Sequence, residues 1–248
     1  MSEPTAPPPP GPPPAGPPYG PPMAPPPSGG PPATGGGLPW ERAKNANNLI
    51  ETVKAMVTDP KGSYERAREK GDYASPVIFA VILGFIGVFF QQIWSLVFGT
   101  AWMTVLPAEI RDQYGGMMAA QGVGGAIFAI ILGPIFVLIG LFIWSGIVHL
   151  MCMLLGIAKE STAGFEGTLR AISYGSVSNL AYVIPFVGGL AAFVWGITLY
   201  VIGLVRMHRT TTGKAVAAVL LPLLLCCVCV IILIVVMGAS IAAMFANQ

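Results

Sequence analysis

The sequence predicts an all-α polytopic membrane protein: a bundle of five transmembrane helices preceded by a disordered Pro/Gly-rich tail and an amphipathic helix. Three observations predict it. Only 10% of the 248 residues are charged and 54% are hydrophobic, where a soluble domain carries about 25% charged residues. Charges are absent over 73–108, 113–158, 171–205 and 215–248. The composition also changes abruptly near residue 38, from proline and glycine to a mixed and then an almost wholly apolar chain.

Residues 1–38 form the tail. Runs such as PPPPGPPPAGPP offer too little apolar surface to offset the entropy of ordering them, which predicts disorder with polyproline II character. Any such tract fits the PxxP pattern that SH3 and WW grooves accept, and a solvated spacer reads the same way. The tail has no apolar run of the secretory kind, so the first span is expected to act as an uncleaved anchor with the amino terminus in the cytoplasm.

Residues 39–75 form an amphipathic cytoplasmic or interfacial segment. Leu49, Ile50, Val53, Met56 and Val57 recur at helical spacing opposite Asn47, Glu51 and Lys54. Asp59-Pro60 stops that helix. With Trp40 at its head, the stripe Trp40, Leu49, Ile50 and Val53 suits a helix lying on an anionic leaflet. The same face could instead pack on the bundle. A second short helix is expected over 61–75, capped by Ser63 and ended by Gly71. Arg66, Arg68 and Lys70 read as the orienting flank of the first span.

The apolar stretches then give the spans of a membrane domain over 76–248. The first, 76–98, is a helix of roughly 35 Å, enough for a ~30 Å hydrocarbon core. Pro134 kinks or starts the second, placed at 134–156, leaving 117–133 as a helical extension or a re-entrant piece. The turn signal Ile184-Pro185-Phe186-Val187-Gly188-Gly189 splits the third stretch into spans 169–185 and 188–205, and the last runs over 215–240. A short helix is expected at 107–114. Five crossings put 12 of the 13 Lys and Arg residues on one side. The positive-inside rule therefore predicts a cytoplasmic amino terminus and an outside carboxyl terminus.

Little in the spans carries chemistry. His149 is the ionisable imidazole within a span, which makes it a candidate functional residue by default, against a packing role. Asn179, with Tyr174 in a run of hydrogen-bonding residues, is another candidate. His149-x-x-Cys152 and Cys226-x-x-Cys229 have metal-ligand spacing, but their depths differ by roughly 8–12 Å. The expectation is no metal and no other cofactor. Loop charges such as Glu166 and Arg170 are sparse and read as solvated, so no enzyme is expected. The net charge of +2 implies no nucleic-acid partner. Gly188, Ala192 and Gly196 line one face of the fourth span, the small-residue pattern of a close helix seam, within the bundle or between protomers of a homo-oligomer.

Three features together resemble the Yip (Ypt-interacting protein) domain family of five-span membrane proteins. Asp72-Tyr73-Ala74-Ser75-Pro76 is similar to that family's entrance to the first span. Ala171–Leu180, AISYGSVSNL, followed by Ile184-Pro185, resembles its third span. Pro39-Trp40 through Asp59-Pro60, with His149 and Leu155-Gly156, looks like the prokaryotic branch. Ser75 stands where the family has glycine. The resemblance implies a cytoplasmic amino-terminal region, five spans and no catalysis. Eukaryotic members are associated with Rab-type GTPases and vesicle traffic. The expected setting is the bacterial cytoplasmic membrane, with an endomembrane as the alternative.

Two functions remain open. One is a non-enzymatic scaffold or adaptor, with protein partners at the cytoplasmic tail or within the membrane. The other is a small transporter or channel-like protein using the polar residues of the second and third spans.

Overall fold

The structure is a computed structural model describing residues 36–105, 107, 108 and 122–246. All of these lie in one compact unit, Gly35–Gln248. The tail before residue 36, and residues 109–114 of the expected loop helix, lie outside the described residues.

Three short helices come first: α1 (Pro39–Arg42), α2 (Ala46–Thr58) and α3 (Pro60–Arg66). Asn45 caps α2 by accepting the Asn48 N–H at 2.9 Å. Asp59-Pro60 ends α2 and also starts α3: the Asp59 carboxylate accepts the Gly62 N–H at 2.9 Å, and Pro60 takes the first helical position. Ser63, the expected cap, is instead buried inside α3, which ends at Ala67.

The long helices are α4 (Ala74–Val105), α5 (Val123–Leu154), α8 (Gly188–His208) and α9 (Thr212–Ala246). These four are long and apolar enough to cross a membrane. Between α5 and α8 lie a one-turn α6 (Ile157–Glu160), α7 (Gly164–Gly175) and, directly continuing it, a 3₁₀ segment (Ser176–Val183).

Helix α5 takes the helical-extension alternative for the residues before Pro134: it begins at Val123 and carries Pro134 in its interior. Ending a helix in hydrocarbon exposes several backbone groups, whereas an internal proline removes one hydrogen bond, so continuing the helix is the cheaper solution.

Helix α7 is the centre of the bundle. Every residue from Glu166 to Gly175 is buried, between α4, α5 and α8. A helix walled by protein need not be apolar, which is why it carries Glu166, Arg170 and Ser173. The Ile184–Gly188 turn that follows is tight. The Gly188 N–H donates to the Ile184 carbonyl at 3.1 Å, and a Cβ on Gly188 would lie 2.4 Å from the Ala181 carbonyl oxygen.

Helices α1–α3 are part of this bundle. Leu38, Trp40, Met56 and Tyr64 share one core with Phe79, Val148, Tyr174 and Leu204. Trp40, expected at a leaflet surface, is only 5% exposed, and its indole N–H donates to the Ser75 carbonyl at 2.7 Å. Leu49 and Val53 pack partly against the same core, while Ile50 stays exposed. The mixed face of α2 is the reason: Thr52 Oγ1 on it accepts the Trp40 backbone N–H at 2.9 Å, a contact that lipid does not supply.

Segments 36–73 and 155–163 and the end of α8 meet at one end of the bundle. Arg209 pairs with Glu69, His208 with Ser161, and the Gly71 N–H with Glu166. This is the basic end.

Candidate functional site

The basic end is built around Arg170, which is fully buried. A buried guanidinium must have its charge and its donors answered. Its Nη1 donates to Glu41 Oε1 at 2.7 Å. Its Nη2 donates to Glu166 Oε1 at 2.7 Å and to the Asp72 carbonyl at 2.9 Å, and its Nε reaches Glu166 Oε1 at 3.1 Å.

Glu41 is as fully answered. Besides Arg170, its Oε1 accepts the Tyr174 hydroxyl at 2.7 Å. Its Oε2 accepts the Leu38 N–H at 2.8 Å and the Arg68 N–H at 3.0 Å. The Gly71 N–H adds a third donor to Glu166 Oε1 at 2.8 Å. The ions therefore join α1, the loop before α4, and α7.

Asp72 begins α4. Its Oδ1 accepts the Ala74 and Ser75 N–H groups at 3.0 and 3.2 Å, and Oδ2 accepts the Ser75 hydroxyl. Lys44 lies 3.5 Å away. The Ser75 hydroxyl first, then the N–H groups and Lys44, hold the Asp72 carboxyl below the usual range. Serine at position 75 thus does a job that glycine could not. Pro76 sits in the first turn of α4, where a missing N–H costs nothing. The two stretches 72–76 and 171–180, far apart in the chain, come together beside Arg170, with the Tyr174 ring tilted at 58° to Phe79 and the centroids 5.3 Å apart.

Next to this knot lies Tyr64 of α3. Its hydroxyl donates to the Ala171 carbonyl at 2.8 Å, and burial pushes its ionisation well up, so it stays a donor. It can approach because Gly203 of α8 has no side chain: a Cβ there would lie 2.9 Å from Tyr64 Cζ. The rest of the seam continues on the same face. Gly188 and Ala192 are buried, and a Gly196 Cβ would lie 3.0 Å from Ser178 Oγ. The small-residue face of α8 therefore packs within the bundle, on α7 and the 3₁₀ segment.

His149 joins a second polar cluster. Its Nδ1 lies 3.0 Å from Thr168 Oγ1, which lies 2.8 Å from His208 Nε2. His208 Nδ1 in turn lies 3.0 Å from Ser161 Oγ. One hydroxyl can bridge two neutral imidazoles, donating to one and accepting from the other. Two protonated imidazoles would both have to donate to its two lone pairs, and would set like charges side by side. Cys152 is buried one turn from His149, whereas Cys226, Cys227 and Cys229 are exposed on α9. Among the described residues no group of three or more His, Cys, Asp or Glu is placed to hold a metal ion.

Asn179 lies elsewhere, on the 3₁₀ segment. It lines two neighbouring cavities of about 320 and 230 Å³ together with Trp144 and Tyr200.

Sequence reasoning found Asp72, Tyr174 and His149 and missed Glu41, Glu166, Arg170, Thr168 and His208. Glu166 and Arg170, expected in solvent, are buried as a pair because α7 runs through the protein interior. Their i, i+4 spacing was the one local signal of that pairing.

Residues 54–234 match the model of the Yip1 domain, well over half of the chain. No curated protein and no solved structure matches.

Proposed function

The chain belongs to the Yip1 domain family, and from that premise we propose that it is a non-enzymatic scaffold or adaptor for membrane or trafficking-related partners. It is a multi-pass integral membrane protein, and the Yip1 family is not known as enzymatic. The observation that carries the reading is the clamp of Glu41, Glu166 and Arg170. A buried ion network contributes less to stability than apolar packing of the same volume, and its best use is to specify one arrangement. Here that arrangement holds α1–α3 against the bundle and turns Ile50, Lys54, Val57 and Lys61 outward as a fixed surface.

The test is an in-membrane crosslinking pull-down with the full chain, a chain lacking residues 1–35, and an Ile50→Glu/Val57→Glu variant. A soluble partner kept without the tail and lost in the double variant supports the adaptor. Recovery of the same proteins by all three contradicts it.

The proposal includes five crossings, the fifth being α7 with the 3₁₀ segment. Its 12 and 8 residues give roughly 34 Å at the rises of the two helix types. The gathering of Lys and Arg at the basic end supports a cytoplasmic amino terminus. The likeness of 39–60 to the prokaryotic branch supports a bacterial cytoplasmic membrane, with an endomembrane as the alternative.

A second reading, a small transporter, is favoured by the two cavities that share Asn179. Solute flux in proteoliposomes that disappears in Asn179→Ala would support it over the adaptor.

A further inference from the structure

A third cavity lies outside both the ion knot and the adaptor surface. It has a volume of about 390 Å³ and lies between α3 and the end of α8, within the size range of small-molecule sites. Tyr64, Ala67 and Met207, all buried, line it. Four charges complete the lining. Arg206 Nη1 pairs with Glu65 Oε1 at 2.5 Å, and Arg209 Nη2 with Glu69 Oε1 at 2.6 Å.

Each pair uses one guanidinium nitrogen and one carboxylate oxygen. The remaining guanidinium donors and the second oxygens are left for something else. The four side chains are 39% to 79% exposed. Ion pairs this exposed contribute little to stability, so they re-pair at little cost.

The backbone singles out Arg209 too. It ends α8 in the left-handed region, at φ 52°, where glycine sits without strain and arginine does not. The turn sends the Arg209 side chain back to Glu69.

We infer that this cavity binds the headgroup of a zwitterionic phospholipid bearing a primary ammonium, with its phosphate on Arg206 and Arg209 and its ammonium on Glu65 and Glu69. A purely anionic group would meet two carboxylates, and a purely cationic one two guanidinium groups. A zwitterion answers both. The carboxylates accept N–H donors, which a primary ammonium has and a quaternary one lacks. The source is a lipid because the cavity lies at the end of α8, a helix apolar enough to cross a membrane, and so at headgroup level.

The experiment is native mass spectrometry of the full chain in detergent with equimolar phosphatidylethanolamine, phosphatidylcholine and phosphatidylglycerol. Wild type is expected to keep phosphatidylethanolamine about tenfold over the other two, the ratio that one additional charge-assisted hydrogen bond supplies. Arg206→Gln/Arg209→Gln should lose that retention. Glu65→Gln/Glu69→Gln should turn the preference to phosphatidylglycerol. Equal retention of the three lipids by wild type, which needs no variant to fold, overturns the inference. So does a preference unchanged in both double variants. Soluble phosphoethanolamine displacing the lipid at equal concentration would overturn the lipid source and identify a free small molecule.

Discussion

Glu41 of α1 and Arg170 of α7 are 129 positions apart in the chain and 2.7 Å apart in the fold, and both side chains are fully buried. The pair makes the segment before the first long helix a structural part of the membrane domain.

Removing the Glu41 charge leaves buried Arg170 with Glu166 as its remaining carboxylate partner. Glu41→Gln should therefore cost about 1–3 kcal/mol, seen as a lower thermal midpoint in detergent and as new protease cuts between 59 and 72. Glu41→Gln with Glu166→Gln leaves Arg170 with no counter-charge and should cost about 3–5 kcal/mol, and adding Arg170→Met removes the last charge and should recover part of that loss. Equal destabilisation by the double and triple variants would show that the charge pairing is not what holds α1.

Gly203 and Gly213 make a matched test of the seam. A Cβ on Gly203 would lie 2.8 Å from Ala171 Cβ, whereas one on Gly213 meets nothing within 4 Å. Gly203→Ala should destabilise by about 1–3 kcal/mol, the usual cost of overpacking. Gly213→Ala should be neutral or slightly stabilising in the same melt.

Thr168 and Thr198 differ in the same way. The Thr168 hydroxyl sits between two imidazoles, while the exposed Thr198 hydroxyl returns to the Val194 carbonyl at 2.9 Å. Thr168→Val leaves the Nε2 of buried His208 and the Nδ1 of half-buried His149 unanswered and should cost about 1–3 kcal/mol. Thr198→Val should cost almost nothing.

Asp72 adds a pH dependence. Its carboxyl is held lower in the folded protein than in the unfolded chain. Its contribution is complete above the unfolded value of about 4 and is lost as pH falls below it through the folded value. Asp72→Asn should be less stable than wild type at pH 6, and the gap should close as the pH is taken below 4 in the same melt.

The four long helices were legible because lipid-facing residues declare themselves by hydropathy alone. The first turn of α7 was not, since protein surrounds it and Glu166 and Arg170 make it read as a loop, while the span expected over 169–185 covers its remainder and the 3₁₀ segment. The turn at Ile184–Gly188 was the signal that a helix precedes it. The partner of Arg170 had no signature, because a contact between residues 41 and 170 has no spacing to read. Trp40 misled for a related reason: an aromatic beside basic residues reads the same in a headgroup layer and in a protein core. Pro134 left two readings open, a kink or a start, because proline breaks a helix in water while lipid keeps the helix intact around it.

The most direct test of the clamp is hydrogen–deuterium exchange of the full chain in lipid nanodiscs, read at the amides of Leu38, Arg68 and Gly71, which donate to Glu41 and Glu166. The clamp predicts exchange as slow as that of α7, and fast exchange in Glu41→Gln. Exchange of these amides in wild type at the rate of an unstructured peptide would contradict it.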